Sequence, residues 1–173
     1  MNTRVKDVIA KLYRPPADGR QVFALSRADA ERIPLISGVA MISITAPEKV
    51  TAHVPEYEYL LRLSFVDVDF LAKDLSARTA EKLPAAMTKE DASEILAFVE
   101  ELPESVHTLL VHCEGGFSRS CGIAKALTQL YGYAVEDERL TQANASVTKA
   151  VLEAAKARGE GNRGGENIAH RPK

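Results

Sequence analysis

Cysteine is scarce in this chain, which carries two, and no run of about eighteen apolar residues occurs anywhere in it. The first shortage excludes a disulfide framework. The spacing of Cys113 and Cys121 matches no zinc pattern, so a reduced compartment and a reactive thiol are the simpler expectation. The second shortage leaves no readable membrane span, and the opening residues, MNTRVKDVIAKLYRPP, lack the unbroken apolar stretch of a signal peptide. We therefore expect a cytoplasmic location and no membrane partner. An excess of one charge is also lacking. A net charge of −2 gives no general attraction to nucleic acid, so any anion site has to be local. His53, His107 and His170 are scattered without ligand spacing, which predicts solvated histidines and no metal. No repeat of solenoid length is present.

What is there suits one domain, expected over residues 1–158. At 173 residues, 46% of them apolar, it can bury roughly two thirds of the surface its unfolded form exposes. The remainder, 159–173 (GEGNRGGENIAHRPK), has little apolar matter to bury and is expected to be a disordered tail. Three runs bounded by charged, Pro or Gly residues predict strands over Val22–Leu25, Ser37–Ile44 and Tyr59–Val68. A fourth, Thr108–His112, leads into the motif described below. Between the last two, Thr88 is a candidate N-cap with Asp91 three residues on, and Ala92, Ile95, Leu96, Val99 and Leu102 mark one helical face before Pro103. Such a strand–helix–strand crossover favours a parallel sheet. Ile123, Ala126, Leu127, Leu130 and Tyr131 predict a helix ending at Gly132, and Val147–Arg158 predicts a terminal helix closed by Gly159. Glu136–Arg139 reads as a helix face. The expected fold class is α/β, a small central, mostly parallel sheet flanked by helices.

The chemistry lies in His112-Cys113-Glu114-Gly115-Gly116-Phe117-Ser118-Arg119-Ser120, placed where a buried strand ends and a helix begins. Unpaired N–H groups at a helix start converge on a bound phosphate, and the helix dipole adds positive charge there. Gly115 and Gly116 permit close approach, so residues 114–118 can curl with their amides inward as an anion nest. Cys113 then lies at the base of the cradle. Thiolate is the reactive form of cysteine, and a helix start beside an arginine favours it. The five-residue gap brings Arg119 back round to grip two phosphoryl oxygens in a bidentate fork.

These residues resemble the Cys-x5-Arg signature, His-Cys-x-x-Gly-x-x-Arg-Ser/Thr, of the protein-tyrosine phosphatase superfamily, in a compact, dual-specificity-like form. The resemblance covers roughly Tyr59–Tyr131. It implies attack by Cys113 on phosphorus to form a cysteinyl-phosphate, with Arg119 and the loop amides stabilising the transition state. It implies that Ser120 assists the sulfur's departure, that His112 orders the loop, and that neither metal nor organic cofactor is needed. A loop aspartate serves such enzymes as general acid. The strand before the motif ends in Asp67 and Asp69, and Phe65-Val66-Asp67 resembles the family's aromatic-x-Asp step. Asp67 is thus the first candidate, Asp69 the second and Asp74 the third. A loop or helix cap is the alternative role for Asp67.

Cys121 falls in the first helical turn after the loop, as a small buried residue or a redox partner of Cys113. The phosphoinositide-selective branch of that superfamily usually adds basic residues in this loop, so Glu114 and the lack of lysine between Cys113 and Arg119 imply, on the resemblance, that multiply phosphorylated lipids are disfavoured. A phosphorylated protein or a small phosphoester is the expected substrate. The alternative is a catalytically weak module that binds phosphorylated partners through the same loop.

Overall fold

Four apolar runs form strands: β1 (Gln21–Ser26), β2 (Val39–Thr45), β3 (Leu60–Ser64) and β4 (Thr108–Cys113). They pair in one sheet of order β1-β4-β2-β3, and every pairing is parallel. In this computed structural model, which describes residues 2–165, the helices are α1 (Thr3–Leu12), α2 (Arg27–Ala30), α3 (Ala77–Ala80), α4 (Lys89–Glu101), α5 (Arg119–Tyr131) and α6 (Ala145–Gly165). Short 3-10 turns occupy Leu83–Ala85 and Asp137–Arg139. Among the described residues no helix is long and apolar enough to cross a membrane.

Alternation along the strands sorts the core into two layers. Val22, Ala40, Ile42, Leu109 and Val111 face α4, α5 and α6, where Ile95, Leu96, Ile123 and Leu127 are fully buried. Phe23, Leu25, Met41 and Leu110 face the other way, against Val5, Val8 and Leu12 of α1. β4 lies between two neighbours and is covered on both faces, so all six of its residues are buried. It is the strand that delivers Cys113.

Several elements differ from the sequence reading. α1 was not expected, although Asn2 caps it and Val5, Val8 and Leu12 share one face. β3 stops at Ser64 instead of reaching Val68: the Val66 N–H bonds to the Ala85 carbonyl at 2.9 Å, so the chain leaves the sheet there. α6 begins at Ala145 and runs through Gly159 to Gly165. One glycine costs a helix about 1 kcal/mol against alanine. That is too little to stop a helix already anchored by buried Val147 and Val151. The expected tail from 159 is therefore helical at its start, and residues 166–173, His170 among them, lie outside the described residues. Glu136 is no helix face: it pairs with Arg4 at 2.7 Å ahead of the 3-10 turn. α4 carries the Thr88–Asp91 capping box, and α5 ends at Gly132 with φ +69°.

α5 and α6 meet closely at Gly122. A Cβ there would stand 2.8 Å from the Asn144 carbonyl oxygen and 3.0 Å from Val147 Cβ. In an uncontacted helix, replacing glycine by alanine stabilises by about 1 kcal/mol. Here the methyl meets backbone, so Gly122→Ala should destabilise, by about 1–3 kcal/mol. Urea denaturation checks the sign; a gain in stability would mean that α5 and α6 part easily.

Candidate active site

Cys113 ends β4 with its side chain buried, and the chain must then turn to start α5 at Arg119. Gly116 makes the turn. It holds φ +80°, and a Cβ would stand 2.3 Å from the Ser26 nitrogen and 2.5 Å from the Leu25 carbonyl carbon. No other residue fits. In this position the Gly116 N–H donates to Cys113 Sγ at 3.3 Å, and Ser120 Oγ lies 3.2 Å from the same sulfur. Arg119 is 5% exposed, with Nη1 donating to the Phe65 carbonyl at 2.8 Å. Its Nε is buried and has no hydrogen-bond partner among the described residues.

The other loop residues shape the wall. The Glu114 carbonyl accepts from the Arg27 N–H at 3.2 Å, and its carboxylate pairs with Lys49 at 3.3 Å. That side chain therefore points to a cation of its own, and the share of Glu114 in any anion nest is limited to its backbone. Gly115 leaves room for the Phe117 ring, which would stand 2.4 Å from a Cβ there, and Phe117 itself is exposed. The Ser118 carbonyl accepts from the Gly122 and Asn144 amides. Its hydroxyl donates to Asp67 Oδ1 at 2.7 Å.

Beneath the loop, His112 is fully buried, with Nε2 2.7 Å from Ser43 Oγ and Nδ1 3.4 Å from the Cys113 carbonyl oxygen. Arg62 donates to Ser43 Oγ at 3.4 Å. The Cys113 carbonyl can only accept, so we assign the ring proton to Nδ1, and Nε2 then accepts from the Ser43 O–H. Burial is the chief cause holding His112 below the usual imidazole range, with Arg27 and Arg62 adding repulsion. Cys121 is equally buried, its sulfur within reach of two carbonyls, Gly116 (3.4 Å) and Arg139 (3.2 Å), that its single S–H can serve. Burial first, and the neighbouring Cys113 second, push this thiol up to about 11, so it stays protonated. Both cysteines are free.

The three aspartates separate clearly. Asp67 lies on the segment beyond β3 and is tied to the Cys113–Arg119 loop through Ser118. Asp69 accepts from the Leu71 N–H at 3.0 Å and so caps its own turn. Asp74 is exposed and makes no side-chain hydrogen bond among the described residues. Asn144 was missed: it is buried and its amide donates to Asp67 Oδ1 at 3.0 Å. An Asn just ahead of a helix is an N-cap signal, hidden because the terminal helix was expected to start at Val147. His53 is exposed, whereas His107 is half-buried against Gly38 and bonds to Thr108 Oγ1 at 2.7 Å, so it is not a solvated histidine.

His112 binds a proton less readily folded than unfolded, so the stability it contributes is present above about pH 6.5 and is lost as pH falls below that value. Melting temperatures measured from pH 7.5 down to 5.5 should fall, and the slope should flatten in His112→Gln. An unchanged slope in that variant would remove His112 from the account.

Compared with protein-family models, curated proteins and solved structures, the chain matches none of them, and a functional reading rests on the geometry of its own site.

Proposed function

We propose that the chain is a cysteine-dependent phosphatase, hydrolysing phosphomonoesters, phosphotyrosine and phosphoprotein foremost, through a cysteinyl-phosphate intermediate. One observation carries this reading. The Gly116 amide donates to Cys113 Sγ, the Ser120 hydroxyl lies 3.2 Å from the same sulfur, and beside them Arg119 has a buried Nε with no partner among the described residues. A buried charged donor left unpaired costs more than the roughly 1–3 kcal/mol of a neutral one, and an anionic oxygen at the site would remove that cost.

The chemistry follows from the atoms present. Cys113 Sγ, as thiolate, gives its electron pair to phosphorus while the bond to the leaving oxygen breaks. That oxygen takes the departing pair and a proton from Asp67. Arg119 and the loop amides stabilise the charge on the equatorial oxygens. Water then attacks phosphorus, the P–S bond breaks, and its electron pair returns to sulfur, where Gly116 N–H and Ser120 O–H stabilise it. Asp67 takes up the proton that the water loses.

In this scheme Cys113→Ser removes the nucleophile and leaves the nest and Arg119 in place. Hydrolysis of para-nitrophenyl phosphate without added metal should drop by about 10³-fold or more, while calorimetry still detects phosphate binding. Retention of more than about a tenth of the activity would rule out covalent catalysis at this position. A wild-type chain that binds phosphate and releases none from any ester would instead be a phosphate-binding module.

Asp67→Asn should lower kcat by about 10²–10⁴-fold with phenyl or alkyl phosphates, and much less when the leaving group is already acidic. Asp69→Asn should do little. A large, leaving-group-dependent loss in Asp69→Asn or Asp74→Asn with none in Asp67→Asn would transfer the role.

A further inference from the structure

The segment Phe65–Phe70 has left the sheet, yet the start of α6 grips it at several points. Asn144 is 4% exposed, and its Nδ2 donates to Asp67 Oδ1 at 3.0 Å and to the Val68 carbonyl at 3.1 Å. The orientation of this amide is fixed from behind. Its Oδ1 accepts from the backbone N–H groups of Ser146 (3.1 Å) and Val147 (3.2 Å), the orphan donors of the helix start. The NH2 end is left to face the acid segment. The backbone N–H of Asn144 also donates to the Ser118 carbonyl at 3.0 Å. One residue therefore holds both the Cys113–Arg119 loop and Asp67.

The two donors that reach Asp67, Ser118 O–H at 2.7 Å and Asn144 N–H at 3.0 Å, fall on the same oxygen, Oδ1. In a neutral carboxylic acid the carbonyl oxygen accepts hydrogen bonds and the other oxygen carries the proton. Two donors on Oδ1 make it the carbonyl oxygen. The proton is thereby confined to Oδ2.

We propose that Asn144 is a positioning residue for the phosphatase reaction: together with Ser118 it holds the acidic proton of Asp67 on Oδ2, facing the leaving oxygen. The inference rests on Asp67 being the general acid. In the first step the Oδ2–H bond breaks, its electron pair stays on Asp67, and the proton goes to the leaving oxygen as the P–O bond breaks. In the second, Oδ2 receives the proton lost by water, because Oδ1 remains occupied by its donors. The same oxygen gives and takes.

Asn144→Asp keeps the acceptor that caps α6 and replaces the NH2 that serves Asp67 and the Val68 carbonyl by an oxygen that repels Asp67, so it is read beside Ser118→Ala, which adds no charge. With phenyl phosphate kcat should fall about 10–100-fold with KM little changed, and with para-nitrophenyl phosphate much less. In an Asp67→Asn background the same substitution should cause no further loss. Ser118→Ala removes the other donor without touching the α6 cap, should show the same leaving-group selectivity, and decides the question if Asn144→Asp fails to fold. Equal losses with both esters, or a loss that adds to that of Asp67→Asn, would reduce Asn144 to a structural cap and overturn the inference while the acid stands. If Asp67→Asn itself shows no leaving-group dependence, the acid assignment and this inference fall together, and the Cys113→Ser result is unaffected.

Discussion

The contact on which the candidate site depends is the approach of Gly116 to the end of β1. Its backbone lies where a Cβ would penetrate the Leu25–Ser26 peptide, and only a glycine at φ +80° can take that place. Because the loop is pressed there, the Gly116 amide is turned toward Cys113 Sγ and its carbonyl toward the Cys121 thiol. The strand that supplies the contact, β1, is paired with β4 through Ser26 and Cys113. Sheet register and loop shape are therefore one constraint.

Two buried basic side chains meet their desolvation in opposite ways. His112 gives up its charge, because burial and the repulsion of Arg27 and Arg62 favour the neutral ring, which then fits between Ser43 and the Cys113 carbonyl. A guanidinium cannot deprotonate. Arg119 satisfies one edge on the Phe65 carbonyl and leaves Nε without a partner among the described residues. Violations of this kind concentrate at functional sites, where a ligand supplies what the fold withholds.

Much of this arrangement was legible beforehand, for reasons of local chemistry. The loop stood out because glycines, cysteine, arginine and serine each answer a backbone or charge requirement within nine residues of one another. The α4 capping box and the Gly132 stop of α5 were readable because caps act over three or four residues. What escaped depends on longer range. α1 is short and rich in charge, and only its burial against Phe23 and Leu25 makes its apolar face significant. The run through Val68 read as strand because it is a bounded apolar run, and Phe65 and Val68 are buried, but off the sheet. Asn144 acts across 77 positions of sequence on Asp67, and no local pattern records that.

The two ion pairs around the loop are built differently. Arg4 and Glu136, with side chains 16% and 18% exposed, join α1 to the turn whose Arg139 carbonyl faces the Cys121 sulfur, at the base of the loop. Lys49 and Glu114, 46% and 47% exposed, sit at its rim. Dissolved ions screen exposed charges strongly and sheltered ones weakly. Ionic strength thus acts on the loop from its mouth: concentrated salt loosens the hold of Lys49 on Glu114, while the footing under Gly116 stays as it is.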